Sequence, residues 1–229
     1  MRIRSVNVAK PTLVEYHGET VMTGINKIAS GNPLAVHGLG IEGDGQADLE
    51  VHGGVDKAVY AFPGEHYSWY QDRLQQDTYL PGQFGENLTT EGLIEANVRI
   101  GDRYRAGGAL FEVSQPRSPC YKFAIKMNTV EALKVMIESG KTGFYLRVLE
   151  EGVIEAGAQF ELEFSDPSAP SVEEVHRLYY LDKKNIDGLK RAVQCESLAR
   201  DYRDSFEQRL QDLDLRDVDE YDGEEEDDR

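Results

Sequence analysis

Residues 97–115, NVRIGDRYRAGGALFEVSQ, carry two short runs of alternating apolar and polar side chains with a glycine pair between them. A period of two places alternate side chains on one face of a strand, and glycine breaks such runs into turns. The pattern recurs in both directions. Upstream stand RIRSVNVA (2–9), TLVEY (12–16), NPLAVHG (32–38) and DKAVYAF (56–62); downstream stand GFYLRVLEEG (143–152) and AQFELEF (158–164). Strands this short and this evenly spaced predict a mainly β domain over residues 1–164, an antiparallel barrel or sandwich.

Two helices interrupt the strands. GEHYSWYQDRLQQ (64–76) follows a strand, and NTVEALKVMIESG (128–140) offers Asn128 as N-cap, Glu131 three residues on and Gly140 as a stop. SDPSAP (165–170) reads as a linker. Beyond it the period changes: Ser171 and Glu174 make a capping box for SVEEVHRLYY, NIDGLKRAVQ is broken by Gly188, and from Ser197 a stripe of Leu198, Tyr202, Phe206 and Leu210 returns every fourth residue. Residues 171–212 are therefore expected to form a three-helix unit whose apolar stripe packs on itself, on the β domain or on another chain.

Charge narrows the function classes. The 229-residue chain has a net charge of −17, and from Asp212 onward eleven acidic residues stand against Arg216 and Arg229, which predicts an acidic disordered tail over 213–229. A field of that sign argues against non-specific nucleic-acid binding, while a cleft can still focus the opposite sign on a small anion. No window approaches the ~18 apolar residues of a membrane span. Two distant cysteines make no disulfide framework and the first residues lack the apolar core of a secretory signal, so the expected compartment is the cytoplasm.

Cys120 stands out in EVSQPRSPCYK (112–122). Pro116 and Pro119 fix φ on either side of Arg117-Ser118, and Arg117 and Lys122 are the kind of neighbours that favour a thiolate, the form that attacks and that binds metals. Cys195, among apolar neighbours in a helical run, reads as packing. His52 precedes two glycines and Lys57, and fits either a ligand contact or a turn. The run GLGIEGDGQAD (38–48) can turn backbone N–H groups toward an anion. Asn87, at a strand entrance, can bridge a ligand or close a turn, and Lys27 is either surface or part of a site. HExxH, paired CxxC and GxSxG patterns are absent, as is a GxGxxG that opens a helix after a strand, which removes the ordinary zinc, hydrolase and Rossmann readings.

Taken in order, HGGVDKAVYAF (52–62), PGQFGENLTTEGL (81–93), IGDRYR (100–105) and SQPRSPCYK (114–122) resemble the MOSC domain family, the fold at the C-terminus of molybdenum cofactor sulfurases. GLGIEGDGQADLEVHGG and the three-helix unit resemble its stand-alone YiiM-like branch. The resemblance implies a β-barrel-like domain that binds the molybdenum cofactor, with Cys120 as thiolate ligand to the metal and Arg117, His52, Lys57, Asn87 and Lys27 lining the pocket. It implies reduction of N-hydroxylated compounds such as 6-hydroxylaminopurine, with His52 passing a proton. No flavin, haem or iron–sulfur signature is visible, so a separate electron-donating reductase is the expected partner, and the helices leave a homodimer open. The competing expectation is a sulfur carrier or cofactor-transfer module in which Cys120 holds a persulfide.

Overall fold

The computed structural model describes residues 1–48 and 53–223, with side chains described to residue 215. Its centre is one eight-stranded sheet. Across it run β13 (Phe160–Phe164), β9 (Arg103–Ala106), β10 (Ala109–Pro116), β11 (Phe144–Glu150), β7 (Val59–Pro63), β8 (Leu88–Glu91), β1 (Arg2–Val8) and β4 (Ile28–Ala29). Strands β5 (Leu34–His37), β6 (Gly40–Ile41) and β12 (Gly152–Ile154) make a second sheet, and β2 (Thr12–Tyr16) pairs with β3 (Glu19–Thr23) in a hairpin. The opening stretch forms β9 and β10, joined through Ala106↔Ala109 across Gly107-Gly108. Every residue of β10 is buried, as a central strand with partners on both sides requires.

The mainly β expectation holds, but the sheet is a large mixed one and not a closed antiparallel barrel, since β7 and β8 run parallel. Ends meet only locally, where Ile3 donates to the Ala158 carbonyl at 2.8 Å and Phe160 to that of Met1 at 3.0 Å. The parallel pair has a physical cause: it needs a crossover connection, supplied by helix α1 (His66–Leu74) and the loop leading to Leu88. An aromatic cluster under this crossover stacks Phe62 on Phe84 at 3.9 Å and gathers Tyr60, Tyr67, Tyr70 and Phe123. Such ring pairs add ~1 kcal/mol each beyond burial, which makes this a stiff floor.

Two local readings change and one holds. Cys120 does not sit in mid-loop: it is the N-cap of a short helix, α2 (Tyr121–Met127). Asn128 is not the cap of the next helix but the left-handed residue that ends α2, at φ 52°, and α3 (Glu131–Ser139) begins after Val130. Asparagine tolerates that conformation better than most residues. Gly140 does stop α3, at φ 69°.

The C-terminal helices are α4 (Val172–Tyr180), with the Ser171–Glu174 capping box in place, α5 (Ile186–Gln194) and α6 (Arg200–Gly223). Instead of a disordered tail from residue 213, α6 continues to Gly223; residues 224–229 lie outside the described residues. SDPSAP is no loose linker either. Ile100 donates to the Pro170 carbonyl at 3.0 Å and Arg99 to that of Ala169 at 2.6 Å. The apolar stripe of the helices joins the core of the β domain: Leu178, Leu198, Tyr202 and Phe206 share one buried cluster with Val98, Ile100 and Val113. The helices and the sheet thus pack as one body.

Candidate active site

A half-open cleft lies where the loop after β3, the loop after β6, the 3-10 turn Val55–Lys57, the loop before β8 and the segment from Arg117 to Lys122 converge. Its space, part of it open to solvent, is about 660 Å³. Lys27, Lys57, Asn87, Arg117 and Cys120, singled out from widely separated parts of the sequence, all line it. His52 falls outside the described residues.

Arg117 is the deepest charge. It is 5% exposed, and its guanidinium carbon sits 4.7 Å from the centre of the Phe123 ring and 5.2 Å from that of Tyr60. Nη1 meets the Met136 sulfur at 3.2 Å, and the backbone N–H donates to the Gly143 carbonyl at 3.2 Å. Gly143, at φ 65°, allows this because a Cβ there would overlap the Ala61 carbonyl. Among the described residues no carboxylate pairs with the guanidinium within 4 Å. Burial opposes its charge, but the phenols of Tyr60 and Tyr145 and the Cys120 thiol pull the other way, and the group stays above its ordinary value and cationic at neutral pH. Burial likewise pushes the hydroxyls of Tyr60 and Tyr145 up, so both remain neutral donors.

The opposite wall is built on Asp44. Its carboxylate takes the buried Lys27 ammonium and the Ala9 N–H at 2.9 Å on one oxygen, and Asn87 Nδ2 at 2.8 Å on the other. Burial pulls the Lys27 ammonium below its ordinary value, and Asp44 restores part of the shift. Asn87 Oδ1 accepts from the Tyr60 N–H at 3.1 Å. Of the two readings of Asn87, its side chain is therefore spent on holding strands and loop together. Gly82, at φ 88°, seats the neighbouring loop directly on the Lys27 carbonyl, where a Cβ would overlap. Behind it the fully buried Glu86 accepts from Tyr67, from Thr89 at 2.8 Å and from the N–H groups of Gly82 and Phe84. Burial pushes its carboxyl up.

Cys120 is half-buried at the cleft wall, with Ser118 and Lys122 beside it. Lys57 lies at the outer rim, its ammonium 3.0 Å from Asp201 of α6. Cys195 packs under Ile100, and burial pushes its thiol up, as the packing reading expects. Among the described residues four cations thus face the cleft against one carboxylate, in a chain of net charge −17. Such a balance favours a small anion in the cleft.

Residues 48–161 match the MOSC domain, and residues 170–212 match the YiiM-like, 3-alpha helix domain. The uncharacterized protein YflK of Bacillus subtilis is 42% identical over 204 residues, covering 89% of this chain and 92% of that protein. The crystal structure of YiiM from Geobacillus stearothermophilus superposes with a TM-score of 0.78 at 37% identity, over 91% of this chain and 98% of that one. The chain belongs to the MOSC-domain family, in its YiiM-like branch. A protein of Gibberella moniliformis named "Reductase" is 34% identical over 165 residues, 71% of this chain but 28% of that protein. The MOSC domain is associated with binding of the molybdenum cofactor. No helix among the described residues of this MOSC-domain chain is long and apolar enough to cross a membrane.

The cleft suits such a group by its chemistry. A pterin bearing a phosphate and a dithiolene calls for a buried cation without its own acid, a description that fits Arg117, and for a soft donor, a residue type that Cys120 supplies. Among the described residues no three His, Cys, Asp or Glu side chains cluster in a way that could hold a metal ion; a metal beside Cys120 has to bring further ligands with it, as a dithiolene does. Sequence reading missed Asp44, Tyr60, Tyr145 and Ser118. Only Asp44 left a trace, as the acid inside the glycine-rich GDG of residues 43–45.

Proposed function

We propose that this chain is a reductase of N-hydroxylated compounds, 6-hydroxylaminopurine among them, that holds the molybdenum cofactor in the cleft. The observation that carries the reading is Arg117, a buried guanidinium with no carboxylate partner among the described residues, in the same cleft as the Cys120 thiol. An isolated buried charge is costly, and an anionic ligand offsets that cost. The relative named "Reductase" supports the reaction class.

When bound, the cofactor supplies two-electron redox chemistry at a metal, which with two protons converts R–NH–OH to R–NH2 and water. Cys120 acts as the protein's thiolate donor. Arg117 pairs with the anionic phosphate through a planar fork of N–H donors. Lys57 and Lys122 add positive potential at the rim, and the Lys27–Asp44–Asn87 network fixes the wall. Tyr60, Phe84 and Tyr145 present rings that exclude water and offer a flat substrate a surface. His52 is assigned the proton transfer to the leaving hydroxyl, because an imidazole can both take up and give a proton. Electrons arrive from a separate reductase.

Isolation under anaerobic conditions, followed by metal and pterin analysis, tests the proposal: about one molybdenum per chain and reduction of a hydroxylamine with an artificial donor are expected. Molybdenum-free protein with labile sulfur on Cys120 would establish the sulfur-carrier alternative instead. Cys120→Ala should lose the metal and turnover while the melting temperature holds, because the side chain is half-buried at the cleft. Retained metal and turnover in that variant defeat the assignment.

A further inference from the structure

The first residues of α6 reach two walls of the cleft. Tyr202 Oη stands 2.8 Å from Ser118 Oγ and 3.4 Å from the Pro116 carbonyl. Either hydroxyl can donate in the shorter contact, and the Pro116 carbonyl can only accept. One residue earlier Asp201 meets Lys57, and two residues before that Ala199 donates to the Ser114 carbonyl at 3.0 Å. The Tyr202 ring is 4% exposed, held 4.7 Å from Tyr179 and 6.0 Å from Phe206, centre to centre. It is a fixed post.

In the loop it touches, Pro116 and Pro119 donate no backbone hydrogen bond, the Arg117 N–H is spent on Gly143, and the Ser118 hydroxyl also meets Tyr180 of α4. The Ser118 hydroxyl is therefore a side-chain handle by which the three-helix unit holds the segment between Arg117 and Cys120. We propose that Tyr202, from the three-helix unit, is a positioning residue of the active site: through Ser118 it sets how Arg117 and Cys120 face the cleft. The inference rests on the cofactor reading of that cleft. The helical unit then serves the chemistry, because its third helix completes the site's geometry.

Tyr202→Phe removes the phenol oxygen and keeps the ring. Retention of molybdenum on anaerobic isolation should fall about tenfold, as for other residues that orient a metal's ligands. Amide exchange should rise in the peptide spanning residues 114–122 and stay unchanged in α4 and α5. Ser118→Ala breaks the same bond from the loop side and leaves the Tyr202 ring in place, at the cost of the hydroxyl's contact with Tyr180. It should reproduce both effects, and the double variant should be no worse than either single one. Additive losses, or faster exchange confined to the helices, would make Tyr202 a packing residue only and overturn the inference. If the wild-type chain retains no molybdenum, the cofactor reading fails by itself. The exchange pattern and its non-additivity then still decide whether Tyr202 sets the loop.

Discussion

Two buried cations face one cleft and are treated in opposite ways. Lys27, on one wall, has a carboxylate, Asp44, which is itself tied to Asn87 and to the Ala9 N–H. Arg117, on the other, has rings, a thioether and phenols around it, and no acid among the described residues. A lysine whose charge is cancelled inside the fold belongs to the scaffold. An arginine whose charge is left over belongs to whatever binds. The difference separates what holds the cleft from what the cleft holds, although both side chains are equally hidden from water.

The contrast yields opposite expectations for removing each charge. Lys27→Met leaves Asp44 buried without its counter-ion, and breaking one side of a buried pair costs about 3–5 kcal/mol. Denaturant unfolding should show that loss directly, a large part of the stability of a chain this size. Arg117→Met should instead leave stability within ~1 kcal/mol of wild type, since lost cation–π contacts are offset by removing a buried charge. Its cost appears in the ligand: two charge-assisted hydrogen bonds are worth about 3 kcal/mol, roughly a hundredfold in affinity. Metal and pterin content of the purified variant measures it. If Arg117→Met unfolds as readily as Lys27→Met, the guanidinium is a structural ion and the comparison breaks.

Much of the candidate cleft was legible from local stiffness and composition. Pro116 and Pro119 around Arg117-Ser118 announce a fixed loop in any context, and the lines of alternation around residues 97–115 announce strands. What stayed hidden depended on partners far along the chain. Asp44 looks like a turn residue until Lys27 and Asn87 arrive from 17 and 43 residues away. Tyr202 reads as one member of an apolar stripe, which it is, because a stripe says nothing about the hydroxyl at its edge. The mixed sheet stayed hidden for a related reason: alternation marks strands but not how far the first and the last of them pair, here only around Arg2 and Gln159. The acidic stretch after residue 213 was read by charge alone, whereas Leu210 and Leu213 continue the buried stripe and carry the helix onward.

A third cation sharpens the comparison at its weak end. Lys57 is 16% exposed in its side chain and pairs with Asp201, which is 77% exposed. A pair with one partner in water is screened and pays side-chain entropy, so it contributes less than ~1 kcal/mol. Asp201→Ala should therefore leave unfolding midpoints nearly unchanged, and whatever loss appears should shrink as salt is raised. Molybdenum content should hold or rise slightly, because a rim cation relieved of one carboxylate attracts an anion more strongly. The neighbouring Tyr202→Phe changes fewer charges yet is expected to do more, since it moves the loop that carries Arg117 and Cys120. Should Asp201→Ala prove the more damaging of the two, the rim charge and not the loop geometry would govern the cleft.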